Sequence, residues 1–175
     1  MRLAAPEVGE RPLALKMAGA LWLTAALSTA LAQAIPGAVT RHWQLELGIS
    51  AAVVVWGVAC LRISSRRAGA LVFHAPAVLA LPTLAVNIAA TGGVHSYCPY
   101  DFFFLVSFCA YFFSFRQAIV YSVLCGVVQA APLLYDQHAV RDGLLVELFT
   151  AVPAYVVLAD GSSSQPPRRA ARRRA

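Results

Sequence analysis

The hydrophobic pattern of this chain is one of long apolar runs separated by short polar segments. Six runs are able to cross a bilayer: Met17–Ile35, Leu45–Leu61, Ala68–Ala90, Tyr97–Phe115, Gln117–Leu134 and Gly143–Ala159. A hydrocarbon core about 30 Å thick asks for roughly 20 apolar residues per helix. The pattern therefore predicts an all-α integral membrane fold, a six-transmembrane-helix bundle over residues 17–160. A cytoplasmic segment at 1–16 and a disordered basic tail at 161–175 flank it.

The runs differ in texture. The first two are rich in Ala and Val, with Trp22, Trp43 and Trp56 as interfacial anchors. Pro76 and Pro82 predict a kink in the third and free carbonyls that need partners from neighbouring helices. Asn87, the only amide there, is expected to make an interhelical hydrogen bond worth about 1 kcal/mol. Phe and Tyr crowd the fourth run all round the helix, as lipid contact and helix packing require. In the turn to the fifth, Ser114-Phe115-Arg116-Gln117 has the spacing of a capping box, with Ser as N-cap and Gln at N3. Arg116 is then expected at the cytoplasmic surface. Pro132 and Pro153 interrupt the last two runs, so the bundle should be bent. Beyond Ala159, Asp160-Gly161, Ser162 to Ser164 and Pro166-Pro167 end the helix, and an Ala/Arg tail without apolar periodicity follows. That tail serves as a topology anchor or holds anionic lipid.

Charge sets the orientation. Of the 14 basic residues, three precede or edge the first run (Arg2, Arg11, Lys16), and three lie in the second connection (Arg62, Arg66, Arg67). Arg116 occupies the fourth connection, and five arginines lie in the tail. The opposite side has only Arg41 and Arg141. Cytoplasmic flanks retain Lys and Arg during insertion, so both termini are expected inside. One feature competes at the front, where Lys16, the apolar run from Met17 and Ala32-Gln33-Ala34 imitate a signal peptide with its cleavage site. Glu7 and Glu10 are unusual in such a leader.

Composition narrows the function classes. Hydrophobic residues make up 59% of the chain and charged residues 13%, against about 25% charged in soluble domains. No soluble domain of ordinary size fits between the runs, so any site lies within the bundle or at its rims. A single Lys among the basic residues, with Ala, Val and Leu dominant, reads as GC-rich codon usage, hence a bacterial source. The net charge of +6 mostly reflects topology, which argues against a nucleic-acid partner. The partners this architecture admits are the lipid bilayer, a cytoplasmic signalling partner in trans and a second copy of the chain. Cys60, Cys109 and Cys125 fall within runs as small apolar residues. Cys98 falls near the outer rim, with no evident disulfide partner.

Candidate chemistry gathers on the outer side: His42, Glu46, His95, Asp101, Asp136, His138, Asp142 and Glu147. Glu46 and Glu147 lie just inside predicted spans, where an ionisable group needs a reason to be. His95, Cys98 and Asp101 follow H-x₂-C-x₂-D spacing, and Asp136-x-His138 lies on the next outer connection. Together they fit a divalent-metal site, a proton or small-molecule sensor, or ordinary rim polarity. No cofactor is expected: haem would need a second histidine at the depth of His74, which instead should bond a backbone carbonyl. Enzyme signatures such as H-E-x-x-H, G-x-S-x-G and a P-loop are absent. No convincing internal repeat of the transporter kind is visible.

Thr91-Gly92-Gly93-Val94-His95-Ser96, the aromatic run after it, Phe113-Ser114-Phe115-Arg116-Gln117-Ala118 and Pro132-Leu133-Leu134 together resemble a known arrangement. It is that of the N-terminal membrane sensor region of actinobacterial diguanylate cyclases (GGDEF proteins) and related sensor kinases. The resemblance covers roughly Leu81 to Tyr155. It implies structural roles for Gly92, Gly93, Ser114, Arg116 and Pro132, and nothing catalytic, since the family's chemistry belongs to a cytoplasmic output domain. Gly92 and Gly93 can take positive φ and reverse the chain at once. Gly161 and Pro166-Pro167 break the helical linker that the family uses, and no output domain follows in this chain. A free-standing module with a separate partner and a frameshifted sensor both fit that departure.

The expectation is therefore a non-enzymatic sensory membrane module, multi-pass in the cell membrane, with Glu46, His95, Asp101, His138 and Glu147 as sensing residues. The alternative is a small oligomeric transporter or channel with Glu46, Asn87 and Glu147 along a water-accessible path.

Overall fold

A computed structural model describes residues 10–34, 42–64, 69–93, 96, 98–136, 139, 143–145, 148, 151, 153–155 and 157. Among the described residues the apolar runs give five continuous α-helices: α1 (Arg11–Gln33), α2 (Trp43–Arg62), α3 (Ala70–Ala90), α4 (Pro99–Phe112) and α5 (Phe115–Gln129). A 3-10 helix, Ala131–Leu134, follows α5. Between 144 and 157 every described residue is helical, and no strand occurs among the described residues. The all-helical expectation is met.

Among the described residues, three helices are long and apolar enough to cross a membrane: α1, α2 and α3, with 23, 20 and 21 residues. At 1.5 Å per residue they extend about 30 to 35 Å, which matches a hydrocarbon core. Helices α4 and α5 have only 14 and 15 residues, about 21 to 22 Å. The expected runs Tyr97–Phe115 and Gln117–Leu134 are thus longer than the helices found, for local reasons. Phe113 leaves α4 with extended backbone, φ −108° and ψ 169°. Ser114 then opens α5, its N–H donating to Gln117 Oε1 at 3.2 Å, as the capping box predicted. Pro132 has no N–H for an α-helical bond, and the chain tightens instead, with Leu133 N–H donating to the Ala130 carbonyl at 3.0 Å. At the front, α1 starts six residues before Met17 and takes in Lys16, with a proline in its first turn. The N-terminal segment outside the helix is shorter to match.

Contacts show how the helices alternate. Arg11 lies 5.7 Å above the Phe73 ring, and His74 stacks on Phe113 with centroids 4.3 Å apart. The starts of α1, α3 and α5 and the end of α4 therefore share one end of the bundle. At the other end Gln33 meets Glu46 and Thr91 meets Cys98. This alternation is what short connections between successive helices produce.

Helix α1 packs most extensively on α2, and glycine makes that possible. A Cβ at Gly19 would stand 2.8 Å from the Gly57 carbonyl oxygen and 2.8 Å from Leu61 Cγ. A Cβ at Gly57 would stand 3.0 Å from Leu23 Cγ. Two backbones come together here with nothing between them, the small-residue packing that serves helices in lipid. The other half of the bundle is filled by large side chains. Phe73, Ala77, Leu84 and Ile88 line one face of α3, and Phe102, Val106 and Cys109 one face of α4; all are buried. Tyr121 and Cys125 of α5 and Tyr155 complete this core. Tyr155 is fully buried, and its hydroxyl donates to Gln129 Oε1 at 3.1 Å.

Large apolar residues also point outward on every helix, among them Leu31, Val55, Leu71, Phe104 and Val127. Water would be a poor solvent for that surface and lipid a good one, which is compatible with a membrane protein. Pro76 and Pro82 both sit inside one continuous α3. They deprive the Val72 and Val78 carbonyls of their usual donors, while the Thr83 hydroxyl bonds the Leu79 carbonyl at 2.7 Å.

Candidate functional site

Where the glycine-packed hairpin meets α3 and α4, small side chains leave a gap. Ala18, Ala25 and Ala26 of α1, Val53 of α2, and Ala77 and Ala80 of α3 line a cavity of ≈ 80 Å³. One water molecule needs roughly 10–15 Å³ by that measure, so the space is several waters large. Its walls are mainly apolar, with three aromatic rings, Trp22, Phe104 and Phe108. Ser50, Asn87 and Asp101 reach it from three different helices.

These polar groups are the informative ones. Asn87 is 5% exposed, and its Oδ1 has no hydrogen-bond partner among the described residues. Ser50 Oγ is likewise buried without one. A buried polar atom left unpaired costs about 1–3 kcal/mol, so two on one cavity call for an explanation. Asp101 is the only ionisable group among the described lining residues. It lies in the first turn of α4, where the helix N-terminus favours a carboxylate. The interhelical bond expected of Asn87 is not made by its Oδ1; that oxygen is unpaired beside the space.

One turn before Ser50 on α2, Glu46 is fully buried. Gln33 Nε2 donates to its Oε2 at 2.8 Å, while Oε1 has no partner among the described residues. Glu46 thereby ties the end of α1 to the start of α2. It is not part of the cavity wall. Cutting the chain after Ala34, as a signal peptidase would, severs Gln33 from Glu46 and removes a wall of the cavity.

At the same end the chain reverses on Gly92 (φ 114°) and Gly93 (φ 66°), as their sequence predicted. A Cβ on Gly93 would lie 3.4 Å from Asp136 Oδ2. A hydroxyl relay closes the turn. The Cys98 N–H donates to Ser96 Oγ at 3.1 Å, Ser96 and Thr91 hydroxyls are 2.6 Å apart, and Thr91 donates to the Asn87 carbonyl at 2.7 Å. Cys98, the N-cap residue of α4, is fully buried against this relay, in the turn at this end of the bundle.

Of the five expected sensing residues, the structure places Glu46 and Asp101, one buried against α1 and the other on the cavity wall. His95, His138 and Glu147 lie outside the described residues. The rim constellation is described only at Cys98, Asp101 and Asp136, and no group of three His, Cys, Asp or Glu among the described residues could hold a metal. Arg116 is exposed in the first turn of α5, and Pro132 is buried. His74 sits at the opposite end, its Nδ1 3.0 Å from the Tyr121 hydroxyl. Trp43 is exposed at the start of α2, where an anchor belongs. Trp22 instead lines the cavity, and Trp56 buries an unpaired Nε1.

Sequence reasoning passed over Gly19, Gly57, Gln33 and Ser50. The glycines had a signal, since glycine inside an apolar run marks a close helix contact; the other two had none before the helices were paired. No family model, curated protein or solved structure matches the chain, and the likeness to diguanylate cyclase sensor regions rests on its motif residues alone.

Proposed function

We propose that the chain is a non-enzymatic sensory module of the cell membrane, with six spans and both termini inside. The observation that supports this best is the cavity. It is walled by α1, α2, α3 and α4, that is, by both of the differently packed halves of the bundle. An occupant there touches both halves at once and shifts their packing, which is what a sensor must transmit. A change from 1:99 to 99:1 between two packings requires about 5.5 kcal/mol of differential binding. The short α4 and α5 cross with local thinning of the bilayer, and residues 143–159 supply the sixth span. The resemblance to diguanylate cyclase sensor regions supports the same reading and supplies the expected partner, a cytoplasmic signalling domain acting in trans.

A reporter fusion tests it. With a diguanylate cyclase domain joined after Ala159, Asp101→Ala and Asn87→Ala should each change cyclase output. Output unchanged in both, and also in Glu46→Ala, overturns the sensory reading. The alternative, a small oligomeric transporter or channel, requires a continuous aqueous path past Glu46 and Asn87. Cysteines placed along α2 and α3 should label at one rim only if the chain is a sensor, and along the whole span if it is a pore.

A further inference from the structure

The geometry points to a small lipophilic amine as the occupant of the cavity between α1, α2, α3 and α4. This rests on the cavity being a receiving site, and adds the class of molecule received. Four observations select it. The lining is predominantly apolar, so the body of the occupant is apolar. Among the described residues that line it, the only ionisable group is the carboxyl of Asp101 and none is Lys, Arg or His, so a cation finds a partner there and an anion finds none. Trp22, Phe104 and Phe108 line the same space, Phe104 while about half exposed, and an ammonium is attracted to an aromatic face. Asn87, 5% exposed with an unpaired Oδ1, supplies a second acceptor for an N–H donor. The expected pose places the ammonium between Asp101 and Asn87 and the apolar body between the hairpin and α3.

Trp22 provides the readout. The full chain is placed in phosphatidylcholine nanodiscs, and its tryptophan fluorescence is titrated with para-bromobenzylamine, whose bromine quenches indole on contact. We expect a saturable quench. Trp22→Phe should remove that component and leave the background from Trp43 and Trp56. Para-bromotoluene and para-bromobenzoate should bind at least about tenfold more weakly, a loss of about 1.4 kcal/mol. Asp101→Asn should weaken the amine to a similar degree. Ala80→Phe, which fills the cavity without touching the carboxyl, should abolish saturation; it also serves if Asp101→Asn loses its helical circular dichroism. A quench that never saturates, that is equal for all three probes, or that is indifferent to both Asp101→Asn and Ala80→Phe overturns the proposal. So does a saturable quench by dibrominated phosphatidylcholine that the amine fails to displace, since a lipid chain would then be the occupant. Saturable binding with an unresponsive cyclase fusion keeps the amine site and removes the sensory role.

Discussion

The two halves of the bundle are held together by different means. Helices α1 and α2 meet backbone to backbone at Gly19 and Gly57, with little side-chain volume between them. Helices α3, α4 and α5 meet through Phe73, Phe102, Phe108, Phe113 and Tyr121, large rings that fill the interior. The contrast explains the position of the cavity. A pair of helices drawn close by glycine presents a fixed, small-residue face to its neighbours, and the alanines of α1 and α3 do not reach across the gap. Unpaired polar atoms occur in both halves, since Gln117 of α5 also buries an unpaired Nε2, but they gather near the seam. Tyr121 and His74 are bonded to each other in the aromatic half, whereas Ser50, Asn87 and Glu46 each bury an unpaired atom at or near the seam.

The comparison can be broken at its aromatic side first. Phe102 is fully buried, and Phe102→Ala should lower stability by about 3 kcal/mol. That is the low end for such a truncation, because lipid tails solvate an exposed ring better than water does. Unfolding in mixed detergent micelles, followed by circular dichroism, would show it; a change under about 1 kcal/mol would mean that the aromatic core is not the main support. Next comes the hairpin. Gly19→Leu drives a side chain into the Gly57 carbonyl and Leu61 and should remove about 2 kcal/mol by overpacking. Its signature is that α1 and α2 separate: a cysteine pair placed across the crossing should cease to crosslink, while one between α4 and α5 continues to. The smallest effect is expected at the seam. Glu46→Gln keeps an acceptor for Gln33 but removes a buried carboxylate with an unpaired oxygen, and should raise stability by roughly 1 kcal/mol. Lower stability in the same assay would show that the carboxylate is better compensated than the geometry indicates.

How much of this was legible beforehand depended on the range of the interaction. Local rules served well. The Ser114–Gln117 box formed at the predicted residues, and Gly92 and Gly93 took positive φ as their turn requires. Helix α2 was placed within two residues at its start and one at its end. Proline was read correctly as an interruption at Pro132 but not as the end of α5, because hydropathy continues through Leu133 and Leu134 after the α-helical ladder has stopped. In α3 the reverse held: the helix runs on through Pro76 and Pro82. The site was half legible. Asn87 stood out as the only amide in an apolar run and Asp101 by its spacing from His95 and Cys98 at the outer rim, each a property of one chain segment. That they line one space with Trp22 and Ser50 depends on which helices pair and how closely. The burial of Cys98 was hidden for the same reason, since only the folded turn brings Ser96 and Thr91 against it.

The Gly19–Gly57 crossing has a consequence for how this sequence can drift. Each glycine is hemmed in by the other's helix, so neither position can enlarge alone. Leu23 and Leu61, which occupy the space a Cβ would claim, constrain it further. Along a lineage, positions 19, 23, 57 and 61 should change as a set, with any gain in volume at one matched by a loss at its counterpart. The apolar residues on the outer faces of the same two helices are free to interchange among Leu, Val, Ile and Ala.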